Sequence, residues 1–182
     1  MQKSRIQAKA FSVSTVGSPT KPLTRAVSPP VENMNILHKI YHDSRTNIAD
    51  LSDELLEYLP QDKHDPDRIN RLSELDAKKL RPLLPHLLTW IQDINWPNAG
   101  MIIPFLIKDE KAIISEVEWV LMGKDDIWKG NCIRHILMQL SPEIVQPLLP
   151  TLKRIAENPS ENEKAEEIDF DAAACIEHLH SD

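Results

Sequence analysis

A tetrad built around acid and tryptophan returns after 32 positions: Asp93-Ile94-Asn95-Trp96, then Asp125-Asp126-Ile127-Trp128, each between two apolar segments. A second echo is longer. Arg81-Pro82-Leu83-Leu84-Pro85-His86-Leu87 returns as Gln146-Pro147-Leu148-Leu149-Pro150-Thr151-Leu152, 65 positions on and close to two periods. A fixed period of this length marks stacked helical hairpins, because one hairpin alone cannot bury its own apolar face. The expected fold is therefore all-α, a short solenoid of about three to four hairpins.

Apolar spacing fills in the elements. Ile48, Leu51, Leu55, Leu56 and Leu59 recur at helical intervals, and Pro60 stops the segment. Asp65-Pro66 opens a second helix, with Asp65 as N-cap, Pro66 in the first turn and Ile69, Leu72 and Leu75 inward. A helix over 77–91 turns Leu80, Leu83, Leu84, Leu87, Leu88 and Ile91 to the core; Pro82 and Pro85 predict a late start or a kink. It pairs with 97–107. A second unit pairs 113–122 with 127–140: Gly123 ends its first helix, and Asp125 or Asp126 caps the next. A third pairs 142–157 with a last helix from about Glu163 or Phe170 to Leu179. No segment alternates as a strand would.

Before this region the chain changes character. Residues 1–45 read as a disordered tail rich in Ser, Thr and Pro, apart from a short helix at Asn35–His42, and 46–182 as the folded domain. Residues 1–31 carry five basic residues and no acid, which leaves −12 of the overall −7 for the remainder. Such a start also fits a mitochondrial presequence. An acidic body repels phosphate backbones, so nucleic acid is not the expected partner. No run of about 18 uncharged apolar residues is present, so no membrane span is expected. Two cysteines, Cys132 and Cys175, make no disulfide framework and fit a reducing, cytoplasmic setting.

The segment Leu84-Pro85-His86-Leu87-Leu88-Thr89-Trp90-Ile91-Gln92-Asp93, with Asp93 and Asp125 at the inter-helix position, resembles the HEAT-like class of α-solenoid repeats. A narrower likeness runs through Leu59-Pro60-Gln61-Asp62-Lys63-His64-Asp65, Leu88 to Pro97, and Asp126-Ile127-Trp128-Lys129. Those three stretches, in that order, resemble an uncharacterised family, domain of unknown function 5071, over roughly residues 50–180. The resemblance implies a small, mostly bacterial kind of protein with no established activity, to which the basic tail is an addition.

The candidate site follows from the repeat. Asp93, Asn95, Trp96, Asp125, Trp128 and Lys129 are expected on one rim, where indole faces supply contact area and acids and amide orient a polar ligand. The structural alternative is that each Asp caps a helix and each Trp packs between hairpins. Lys63 and His64, before Asp65, offer a base and an imidazole; a His–Asp pair serves general-base catalysis, but a capping turn explains the same residues. Cys175, His178 and His180 supply too few ligands for a metal site, and no glycine-rich phosphate loop occurs, so no cofactor is expected. The reading is a non-catalytic module that binds a protein or peptide. Its rivals are a toxin-neutralising, immunity-type protein and a HEAT-like enzyme acting on nucleic acid.

Overall fold

The computed structural model of the protein describes residues 48–181. The tail expected over 1–45, including the helix at Asn35–His42, lies outside the described residues. Among the described residues every regular element is helical and there is no strand. Among the described residues no helix is long and apolar enough to cross a membrane.

The chain enters through a 3₁₀ turn at Ile48–Asp50 and a single-turn helix α1 (Asp53–Leu56) capped by Ser52. Helix α2 (Pro66–Arg71) starts as its sequence dictates: the Asp65 carboxylate accepts from the Arg68 amide, and Pro66, which has no amide to satisfy, takes the first position. Helices α3 (Ala77–Leu80) and α4 (Leu84–Leu88) are joined by a 3₁₀ turn at Arg81–Leu83, and α4 tightens into another at Thr89–Ile91. Then come α5 (Pro97–Leu106), α6 (Glu110–Leu121) and α7 (Asp126–His135). Helices α8 (Pro142–Val145) and α9 (Leu149–Glu157) are joined by a 3₁₀ turn at Gln146–Leu148. Helices α10 (Glu161–Ala165) and α11 (Ile168–Leu179) complete the described chain.

The longer echo is structural as well as textual. Arg81-Pro82-Leu83 and Gln146-Pro147-Leu148 form the same 3₁₀ turn between two α segments. A proline inside a helix removes one amide and crowds the carbonyl four residues back, and tightening locally is one way to relieve both. The expected kink is thus a change of helix type at the proline, made twice. The tetrads repeat less faithfully. Trp96 stands at the N-cap of α5, whereas Trp128 is the third residue of α7, so the same letters fall three residues apart in helical register.

Packing joins neighbours, next-but-one neighbours and, where α11 meets α7, elements further apart. Helix α4 packs on α5 and α6, α6 on α7 and α8, and α11 on α7 and α9. The leucines expected to face inward on the 77–91 segment (80, 83, 84, 87, 88) are all within 1% of full burial, as is Ile91. Removing such a side chain costs about 2–5 kcal/mol, so the spacing of these residues is what selects the fold. All four tryptophans join in two edge-to-face pairs, Trp90 with Trp96 and Trp119 with Trp128, each with ring centroids 5.7 Å apart. Gly130 marks where α7 meets α11: a Cβ there would lie 2.7 Å from the Ile168 Cδ1.

His86 is buried, and burial lowers its imidazole from 6.5 to about 4, with the Asp50 charge opposing the shift. The unfolded chain therefore takes up this proton first, and stability falls as pH drops from about 6.5 towards 4, by about 1.4 kcal/mol per pH unit at most. Urea unfolding at pH 7 and pH 5 should show that slope, and His86→Leu should flatten it. Glu167, which precedes α11, has φ 59°, a left-handed conformation that disfavours a β-carbon. Glu167→Gly should stabilise the fold by up to about 1 kcal/mol, read as a higher thermal midpoint.

Candidate functional site

The turn after α4 carries the first tetrad. Asp93 does not cap α5; its Oδ1 accepts from the Asn95 amide at 2.9 Å and from the Asn95 side chain at 3.1 Å, which closes the turn on itself. Asn95 is exposed and Trp96 half-buried against Trp90. Lys63 and His64 are exposed in the turn before α2, where the His64 amide bonds Asp62 Oδ1 at 2.7 Å. These two turns meet. The buried Asn98, two residues past Trp96, donates its amide to the Asp62 carbonyl at 2.6 Å, so Lys63-His64 and Asn95-Trp96 belong to one neighbourhood.

The second tetrad is placed differently from expectation. Asp125 is exposed and caps α7 by accepting from the Trp128 amide at 3.0 Å. Trp128 and Lys129 do not line a surface rim: both are buried, Trp128 at 7% and Lys129 at 5% exposure. The physical reason is that each has an interior polar partner. The Trp128 indole donates to the Leu88 carbonyl at 3.1 Å, and Asn131 donates to the carbonyls of Ile91 and Gln92. The first half of α7 therefore docks on the end of the 84–92 segment, which the first tetrad follows.

Lys129 belongs to a charge cluster at the other side of α7. Its Nζ bonds Asp126 Oδ1 at 2.7 Å and Glu163 Oε1 at 2.8 Å, and the Arg154 guanidinium grips both Glu163 oxygens at 2.6 and 2.8 Å. Glu163, almost wholly buried, also closes a reciprocal cap with Ser160 at the start of α10. Arg154 above all, then Lys129 and the Ser160 amide, overcome burial and hold the Glu163 carboxyl far below the usual carboxylate range. Burial disfavours the Lys129 ammonium, yet the bonds to Asp126 and Glu163 outweigh it and raise its pKa. Glu163, Lys129 and Arg154 therefore stay charged through neutral pH. The residues floor and wall an open cavity of about 690 Å³ between the end of α6, the start of α7, α9 and α10.

Neither Arg154 nor the pairing of Glu163 was singled out by sequence reading. Glu163 reads as one acid in a charged run, although Ser160-x-x-Glu163 is a capping-box pattern that announces it. Arg154 carries no local signal, since its partner lies across a loop. Burial raises both thiols, Cys175 to about 11 and Cys132 further, so neither is ionised near neutrality. His180 Nδ1 lies 2.6 Å from the Ile176 carbonyl. Among the described residues no three His, Cys, Asp or Glu side chains group to hold a metal ion.

The cluster predicts a pH signature. The folded pKa of Glu163 is depressed, so its stabilisation is complete above about pH 5 and is lost as pH falls through and below the ordinary range near 4.3. Glu163→Gln, which leaves two cations without their anion, should cost about 3–5 kcal/mol at pH 7. Denaturant titrations should show that the gap from wild type narrows at pH 3.

The sequence model of the family described as a domain of unknown function, DUF5071, matches residues 58–176, which covers α2 to α10 and most of α11. No curated protein matches the chain.

Proposed function

The chain belongs to the DUF5071 family, and we propose that it is a non-catalytic protein-interaction module, a short HEAT-like stack whose inter-helix turns form the contact edge. The observation that carries this reading is the Asn98–Asp62 bond, which joins the exposed Lys63-His64 turn to the exposed Asn95 and half-buried Trp96. Asp125, exposed at the start of α7, is a second candidate contact, while Trp128 is buried beneath the 84–92 segment and Lys129 in the charge cluster. Solenoids recognise protein or peptide along such successive equivalent turns. A cytoplasmic setting belongs to the same reading.

The titratable groups favour binding over catalysis. Glu163 is held ionised, Lys129 protonated, and both thiols are raised by burial, so none is poised to exchange a proton near pH 7. A nucleic-acid enzyme needs an uncompensated basic groove. Here Lys129 and Arg154 each pair with an acid, which leaves the cavity beside them one net positive charge rather than a basic groove. The exposed Glu161, Glu166 and Glu167 favour a basic partner, of which a neutralised toxin is one kind.

Trp96→Ala would strip a packing contact from Trp90, so surface changes make the cleaner test. The double variant Lys63→Glu, Asn95→Arg should keep wild-type helicity and thermal midpoint. Affinity purification from the native source, read by quantitative mass spectrometry, should then show a specific partner depleted about tenfold or more. Equal recovery of every partner by the folded variant would overturn the assignment of this edge.

A further inference from the structure

The cavity beside α7 uses residues different from those of the turn edge, and its chemistry points to a ligand of its own. Its buried acid is already full. The two oxygens of Glu163 accept from Lys129, from Arg154 twice and from the Ser160 amide, which is all that a carboxylate ordinarily takes. The donors around it are not exhausted. An ammonium has three donors, and Lys129 gives two of them to Asp126 and Glu163; a guanidinium has five, and Arg154 gives two to Glu163. Lys124 stands exposed at the mouth. The surplus is of donors.

Charge narrows the choice. Lys124, Lys129 and Arg154 against Asp126 and Glu163 leave the lining side chains one positive charge, within a body that is strongly acidic overall. A monoanion neutralises that charge, whereas a dianionic phosphate would overshoot it. The space also exceeds what one carboxylate fills. Leu121, Pro150 and the 68%-exposed Met122 give it an apolar wall. Methionine is an adaptable surface for aliphatic groups of varied shape.

We propose that this cavity binds a monocarboxylate with an apolar body, its carboxylate between Lys124 and the Lys129–Arg154 pair and its aliphatic part against Met122. The source is either a small organic acid or the carboxylate that ends a peptide chain. Both share the same recognition chemistry.

The test is a titration of the full ¹⁵N-labelled chain with hexanoate, hexylammonium and inorganic phosphate, followed by amide shifts. Hexanoate should saturate, with shifts gathered at Gly123, Thr151 and Ser160, and should bind more tightly than the other two probes. Lys124→Glu, an exposed change that leaves the buried cluster intact, should weaken hexanoate about tenfold at an unchanged unfolding midpoint. Hexylammonium binding as tightly, scattered shifts that never saturate, or indifference to Lys124→Glu would each overturn the proposal. A short acetylated peptide with a free C-terminus, compared with its amide, separates the sources. Tighter binding than hexanoate by the free acid alone assigns the site to a chain terminus, and no gain over hexanoate assigns it to a small acid. Because no turn-edge residue takes part, failure here is distinguishable from failure of the interaction edge.

Discussion

Trp128 and Asn131 do for the 84–92 segment what it cannot do for itself. A helix leaves its last carbonyls without amide partners, and a buried orphan carbonyl costs about 1–3 kcal/mol. Here the donors arrive from another element, at Leu88, Ile91 and Gln92. The same solution recurs. Arg68 donates to the carbonyls of Leu56 and Leu59, Asn98 to Asp62, and Lys108 to Leu75. Short helices interrupted by 3₁₀ turns have many ends, so the fold depends on later side chains to close earlier ones.

Helix α7 concentrates this dependence because it is bonded in both directions along the chain. Trp128 and Asn131 reach back to the 84–92 segment, while Lys129 reaches forward to Glu163 and Arg134 to Asp171, the last at 2.6 Å. Burying Lys129 and Glu163 is not an efficient way to gain stability, since desolvation offsets most of the attraction. What it does confer is a defined seating of α10, since only one placement satisfies Glu163 from three residues at once. The same pairing keeps Glu163 and Lys129 ionised on the wall of the adjoining cavity.

Much of the helical layout is legible in the sequence, for local reasons. Leucine spacing finds the buried face of 77–91, Asp65-Pro66 and Asp125 find helix starts, and Pro82 and Pro85 find a break in the 77–91 helix but not its 3₁₀ form. These signals act within one turn of helix, so one turn of sequence contains them. The 32-residue repeat was a poorer guide to the site. It suggests equal roles for two tetrads that differ by three residues in register, so one tryptophan half-faces solvent and the other is sealed inside. Arg154 and the buried side of Lys129 were invisible for the opposite reason: their partners are set by how α7, α9 and α10 meet, and no local spacing encodes that meeting.

The backward-reaching bonds of α7 carry a consequence for how the protein is made. The acceptor at Leu88 waits on a donor 40 residues further along, as does the one at Ile91. On the ribosome, a nascent chain that has just released its first helical unit holds that unit with open carbonyl ends until residue 131 clears the exit tunnel. Maturation of each segment is thereby tied to translation of the next, and no early portion of the domain is a finished article by itself.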